Sequence, residues 1–190
     1  MARHRYDTRG IVLARTHTGE ANTLLALLTS DVGLVQARAQ SVRKSGAKLA
    51  PALVTLAESR VVLVRGKEGW RLAGAVLEES WFKRLQSPET RAAAVRVSGL
   101  VLRLVAGEVQ DTELLPIMRG FLEALATLPA DMHDAVEILA VLQILAALGL
   151  DAGEVPEGAQ AFASSARSVA RERRAEYVAR INQDIAASGL

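Results

Sequence analysis

Short apolar runs broken by glycines and polar turns fill the chain from Met1 to Phe82, after which the apolar spacing lengthens to that of helices. The first run, within Thr8–Ala14, places Ile11, Val12, Leu13 and Ala14 after Gly10 and ahead of a polar turn, His17-Thr18-Gly19-Glu20. A Leu-rich run, Asn22–Thr29, is closed by Asp31-Val32-Gly33 too soon for a stable helix and predicts a second strand. Leu34–Val42 alternates Val35, Ala37 and Ala39 with Gln36, Arg38 and Gln40, which places the polar set on one exposed sheet face. Ser41–Lys48 has the composition of a mobile basic loop. Arg60–Arg65, the turn Gly66-Lys67-Glu68-Gly69 and Trp70–Glu78 then read as a hairpin, with Trp70, Leu72 and Val76 expected on one side. Five short strands in a segment of this length predict a small closed barrel of the OB type, an architecture known for oligonucleotide binding.

The remainder predicts helices. Ser87-Pro88-Glu89 is a capped start for a helix carrying Val95, Leu102 and Val105. Thr112 opens a second through Leu114, Leu115, Met118, Leu122 and Leu125, stopped by Pro129. Asp131 opens a third, nearly all apolar from Ala135 to Leu148 and stopped by Gly149, whose apolarity all round predicts the centre of a bundle. Asp151–Ser165 reads as a loop or weak helix. Ala166–Ser188 reads as one helix with Val169, Tyr177, Ile181 and Ile185 near one face and Arg167, Arg171 and Arg174 on another. No repeat of solenoid length is visible. The expected class is α+β: an N-terminal five-stranded OB-fold β-barrel over residues 1–82 and an all-helical domain over 83–190.

Charge divides at the same place. Met1–Phe82 carries 12 Lys/Arg against 7 Asp/Glu, and Lys83–Leu190 carries 11 against 14, an asymmetry hidden by the net charge of +2. Between Leu104 and Ser164, Arg119 is the only cation among ten acids, so this segment is expected to repel nucleic acid and to serve folding or protein contact. The last-helix arginines would extend a DNA path if that helix packed beside the barrel.

The chemistry-bearing residues point away from catalysis. With no cysteine there is no disulfide, thiolate nucleophile or Cys-based zinc site, and His4, His17 and His133 lack metal-ligand spacing. Ser45-Gly46-Ala47-Lys48 resembles the end of a phosphate-binding loop but lacks its first glycine and has Leu49 where Ser or Thr is needed. Glu78 and Glu79 are strand neighbours expected to point apart as solvated charges. His17 is expected to be a plain turn residue, and His133 is assigned no role. The opening MARHRYDTRG does not read as a secretory signal, and Ile138–Leu150, interrupted by Gln143, falls short of the roughly 20 residues that span a bilayer. A cytoplasmic, non-enzymatic protein without cofactor or membrane partner is expected.

The functional candidates are therefore cations: Arg38, Arg43, Lys44 and Lys48 on the third strand and its following loop, and Arg65, Lys67 and Arg71 around the hairpin of Trp70. If the sheet closes, the two groups line one groove. Neutralisation by about five of them predicts a salt slope of roughly −3.5 to −4.5 in a log–log plot of affinity. Trp70 is expected in the core rather than stacked on a base.

Thr8-Arg9-Gly10-Ile11-Val12-Leu13, Gly19-Glu20-Ala21-Asn22, Leu27 to Leu34, Ser41-Val42-Arg43-Lys44-Ser45 and Leu49-Ala50-Pro51-Ala52-Leu53 resemble, in order, the N-terminal domain of the RecO family of recombination mediators. The likeness covers residues 7–82 and continues more weakly at Leu142–Leu150 and Ile181–Leu190. It implies an OB-fold followed by a helical domain, binding of single- and double-stranded DNA, annealing of complementary strands without ATP, and a place in recombinational DNA repair. It also implies partnership with RecR and with single-stranded-DNA-binding protein, loading of RecA through them, and association with the nucleoid. Many members insert a four-cysteine zinc module after the position of Gly149-Leu150, whereas Asp151–Ser165 is short and cysteine-free, so zinc is excluded there. A rival assignment is a protein-interaction adaptor whose helices dock partner peptides, with DNA contact incidental. A nuclease or ATPase would instead require metal- or nucleotide-dependent turnover.

Overall fold

The computed structural model describes residues 4–18, 22–40, 49–105, 113–151 and 153–189. The chain divides into two compact units, Met1–Arg84 with Val105–Leu115, and Leu85–Leu104 with Pro116–Leu190.

The first unit is a closed five-stranded barrel of β1 (His4–Thr18), β2 (Asn22–Thr29), β3 (Gly33–Gln40), β4 (Ala57–Gly66) and β5 (Gly69–Ser80), in the order β1-β2-β3-β5-β4. That is an OB-type connectivity. β1 runs well beyond the expected Thr8–Ala14 because it serves two walls: His4–Ile11 pairs β4, and Gly10–Thr18 pairs β2. A bulge between Val12 and Ala14 turns the strand from one wall to the other. Gly10 stands where both pairings overlap; a Cβ there would lie 3.0 Å from the Leu28 carbonyl oxygen and 3.1 Å from Thr29 Cγ2. A side chain there would press on β2, whose backbone would have to give by a few tenths of an ångström.

β3 follows the predicted alternation: Val35, Ala37 and Ala39 are buried, and Gln36, Arg38 and Gln40 are exposed. The inward residues, among them Val12, Leu25, Leu27, Val61, Leu63 and Trp70, form one core with Ala52 and Leu53 of a short 3-10 turn, Ala50–Leu53. On β5 the expected side holds for Trp70 and Leu72 but fails for Val76, which is 69% exposed. The β4 register jumps from Leu63↔Leu72 to Val62↔Gly74, and the extra residue reverses the phase, so Ala75 packs on the core instead. The bounds of β2 are as predicted, and the two-residue Lys67-Glu68 loop closes the β4–β5 hairpin.

The β2–β3 turn is fastened to β1. Asp31 accepts hydrogen bonds from the hydroxyls of Thr8 and of Ser30, the latter at 2.7 Å, and the Ser30 N–H donates to the Arg9 carbonyl at 2.9 Å. The Thr8 hydroxyl, then that of Ser30, holds the Asp31 carboxyl below its ordinary value. A depressed carboxylate stabilises the fold above its unfolded pKa and loses that stabilisation as pH falls through the folded value. Asp31→Asn is accordingly expected to cost less than about 1 kcal/mol at pH 7, since the group is exposed. The cost should shrink in urea unfolding as the pH falls below the ordinary carboxyl value of 3.8 and through the lower folded one. A cost that persists or grows in acid would overturn this account.

Past α1 (Trp81–Arg84), helices take over: α2 (Pro88–Leu104), α3 (Leu114–Thr127), α4 (His133–Ala147), α5 (Ser164–Glu172) and α6 (Arg174–Ala187). The Ser87 hydroxyl caps α2, accepting from the Thr90 N–H at 3.2 Å. The buried face of α2 is built of small residues, Ala93, Ala94, Val97 and Val101, whereas the expected Val95 is 56% exposed. Within the second unit α4 packs against α2, α5 and α6, the central position its apolarity predicted. Gln143, the polar interruption of α4, is buried and donates to the Leu139 and Ala159 carbonyls, each at 3.1 Å. Gly149 has φ +68, as a helix stop requires. The expected single last helix is two: Arg173, at φ −100 and ψ 23, breaks it without a proline or glycine to signal the break. Among the described residues no helix is long and apolar enough to cross a membrane.

Candidate nucleic-acid interface

β3 and β5 run parallel and pair only at Ala37↔Trp70 and Arg38↔Arg71. This short contact closes the barrel and determines where the predicted cations meet. Arg38 and Arg71 become direct neighbours on the outer face, while Arg65 and Lys67 rise beside them on the hairpin. Together with Asn22 and Gln40 they line an open groove of 910 Å³. Asn22 begins β2 and Lys67-Glu68 forms the β4–β5 loop, so the groove lies where OB barrels bind oligonucleotides.

Among its described residues the groove is cationic, with Glu68 as its one acid. Glu68, 89% exposed, lies 3.5 Å from Arg38, itself 59% exposed. Such a solvated pair contributes at most about 1 kcal/mol and yields readily to a phosphate. Lys67 and Arg71 are exposed and form no ion pair among the described residues. The Arg65 guanidinium lies 5.0 Å above the Trp70 ring, and Tyr6 meets the same ring edge-on at 5.1 Å. Trp70 is 4% exposed, as its place in the core predicted, and its Nε1 has no hydrogen-bond partner among the described residues. Four of the seven predicted cations, Arg38, Arg65, Lys67 and Arg71, thus converge. Arg43, Lys44 and Lys48 lie outside the described residues. The amides Asn22 and Gln40 were not among the candidates; the strand alternation put Gln40 on this face, but only the Asn22↔Gln40 pairing joins the two.

The other sequence candidates are occupied elsewhere. Arg171 lies 3.8 Å from Asp131, and Arg174 reaches Asp134 through two hydrogen bonds of 2.8 and 2.9 Å, which holds the Arg174 pKa above its ordinary value. Arg167 donates to the Phe162 carbonyl. These contacts are all made within the helical unit. Glu78 and Glu79 are not simply solvated: Glu78 lies 2.5 Å from Arg9 and 3.5 Å from Arg60, and Glu79 lies 3.4 Å from Arg84. Each carboxylate has its own cation, and they share no site. His17 Nδ1 lies 3.3 Å from the Thr23 hydroxyl across the strand pair, and His133 Nε2 lies 2.9 Å from the Leu128 carbonyl oxygen. Among the described residues no His, Cys, Asp and Glu side chains cluster to hold a metal ion.

The family described as "Recombination protein O N terminal" matches residues 1–80. The DNA repair protein RecO of Dehalococcoides mccartyi is 34% identical over 122 residues, covering 64% of this chain and 48% of that protein. The RecO of Heliobacterium modesticaldum is 32% identical over 161 residues, or 80% of this chain and 57% of the relative. The RecO of Gloeobacter violaceus is 29% identical over 146 residues, or 76% and 56%. The chain spans about half the length of the curated relatives it matches. The barrel topology, the ordered sequence pieces and this match agree: residues 1–80 are a RecO-family N-terminal domain, and the likeness to RecO proteins continues beyond it.

Proposed function

We propose that the chain acts in recombinational DNA repair as a non-enzymatic DNA-binding mediator, with residues 1–82 as its nucleic-acid-binding domain and 83–190 as its helical domain. The observation that carries this is the Arg38↔Arg71 pairing beneath the Lys67 hairpin, which gathers cations from three strands into one open groove. Cations so placed follow a phosphate backbone without reading its sequence. By neutralising phosphates the barrel lowers the repulsion between complementary strands, so that their bases pair without ATP. The likeness to RecO proteins supports the wider assignment: contact with single- and double-stranded DNA, with RecR and with single-stranded-DNA-binding protein, and assistance to RecA loading at the nucleoid.

The test is oligonucleotide binding over a salt series with Arg38, Lys67 and Arg71 together replaced by Ala. Three lost phosphate contacts should make the log–log slope shallower by about 2 and weaken binding roughly a hundredfold at 0.1 M salt. Annealing of complementary strands in a chelator, without nucleotide, should fall in parallel. Unchanged affinity and slope would remove the groove from DNA binding and favour the adaptor assignment.

A further inference from the structure

The groove holds a second row of side chains that phosphate binding does not use. Asn22 and Gln40 are direct partners in the β2–β3 ladder, two residues along from Leu24↔Arg38. Both are exposed and both line the groove. Two residues along a strand is roughly 7 Å, so an amide row runs beside the Arg38–Arg71 row at a spacing comparable to that between a phosphate and its own base. Neither amide makes a side-chain hydrogen bond with the described residues.

We infer that the paired carboxamides of Asn22 and Gln40 bond the open edges of unpaired bases and give the groove a selectivity for single strands over duplex. The inference rests on the groove being a nucleic-acid site. A carboxamide offers one acceptor and a two-hydrogen donor, and rotation about its last bond exchanges them. Two such groups side by side match the edge of any base, so the contact tolerates sequence. In a duplex the Watson–Crick edges are already paired, and what stays open to a carboxamide is chiefly the major-groove edge of adenine, so a mixed-sequence duplex offers the amides far less than a single strand does. Single-strand binders commonly hold bases by stacking on aromatic rings. Here that route is closed, because Trp70 is 4% exposed, covered by Arg65 and met edge-on by Tyr6. With the ring covered and the cations facing phosphates, the amides are the groups left to meet bases among the described lining residues.

The experiment compares the wild-type chain with an Asn22→Ala, Gln40→Ala double variant on three probes of equal length: a mixed-sequence single strand, an abasic single strand and the corresponding duplex. The variant should bind the mixed-sequence strand about 5- to 10-fold more weakly, the loss of one or two net hydrogen bonds. Affinity for the abasic strand and the duplex should be unchanged, as should the salt slope, because no charge is removed. Those two probes also report that the variant is folded. No loss on the mixed-sequence strand, or an equal loss on all three probes, overturns the inference while leaving the cationic groove standing. A wild-type chain that binds none of the probes overturns the groove assignment and this inference together.

Discussion

Replacing Trp81 with Ala should cost about 3–5 kcal/mol, the usual range for truncating a fully buried Trp. That is about a fifth or more of the stability of a domain holding about 5–15 kcal/mol. Trp81 is 2% exposed, and its indole Nε1 donates at 3.0 Å to Glu58 Oε2 on β4, itself 2% exposed. The truncation thus opens a cavity and also takes a donor from a buried carboxylate. The Trp81 backbone N–H donates at 3.1 Å to the carbonyl of Leu56, whose own N–H donates at 2.8 Å to Val12. Leu56 has φ 63, a left-handed backbone that a leucine adopts only where its surroundings impose it. Trp81→Phe keeps most of the ring but not the donor, and should cost about 1–3 kcal/mol, the desolvation penalty of a buried acceptor left short. Urea midpoints followed by far-ultraviolet circular dichroism measure both. A loss below 1 kcal/mol for Trp81→Ala would show that neither the cavity nor the Glu58 contact matters.

What the sequence made legible was local. The alternation of β3, the bounds of β2, the Lys67-Glu68 turn, the Ser87 cap and the Gly149 stop each depend on a few adjacent residues, and the structure agrees with all of them. What it hid depends on partners far along the chain. Val76 points outward because a bulge set by pairing with β4 changes the strand's phase, and nothing near Val76 announces it. The break at Arg173 likewise has no local breaker.

The same distinction governs the arginines. By spacing alone Arg167, Arg171 and Arg174 formed a basic helix face, a DNA path only if that helix packed beside the barrel. Asp131 and Asp134, which engage two of them, lie about 40 residues away in the chain. Charge asymmetry located the basic half correctly, but only the β3–β5 pairing shows which cations share a groove. The alternation of β3 put Gln40 on the same exposed face, but only its pairing across β2–β3 brings Asn22 beside it.

In the helical unit the largest effect is expected at Arg180. Its guanidinium donates to both oxygens of Asp151, through Nε at 2.9 Å and through Nη2, and Nη1 donates to the Glu154 carbonyl at 3.0 Å. The Asp151 side chain is 2% exposed and that of Arg180 is 22% exposed. Arg180→Ala leaves a buried carboxylate with the Gly153 N–H, at 2.8 Å, as its one other donor among the described residues. Breaking a buried pair from one side costs about 3–5 kcal/mol. Asp151→Ala should cost less, because the orphaned guanidinium is partly open to water and keeps the Glu154 carbonyl. The double variant should be less destabilised than the sum of the singles, since the second substitution removes the charge that the first left unpaired. Chemical denaturation of the two single variants and the double one closes the cycle. Additive losses would mean that the arginine acts through its packing beside Tyr177, 5.9 Å from its guanidinium, and not through the ion pair; Asp151→Ala as the more damaging change would mean that the carboxylate acts chiefly through the Gly153 N–H.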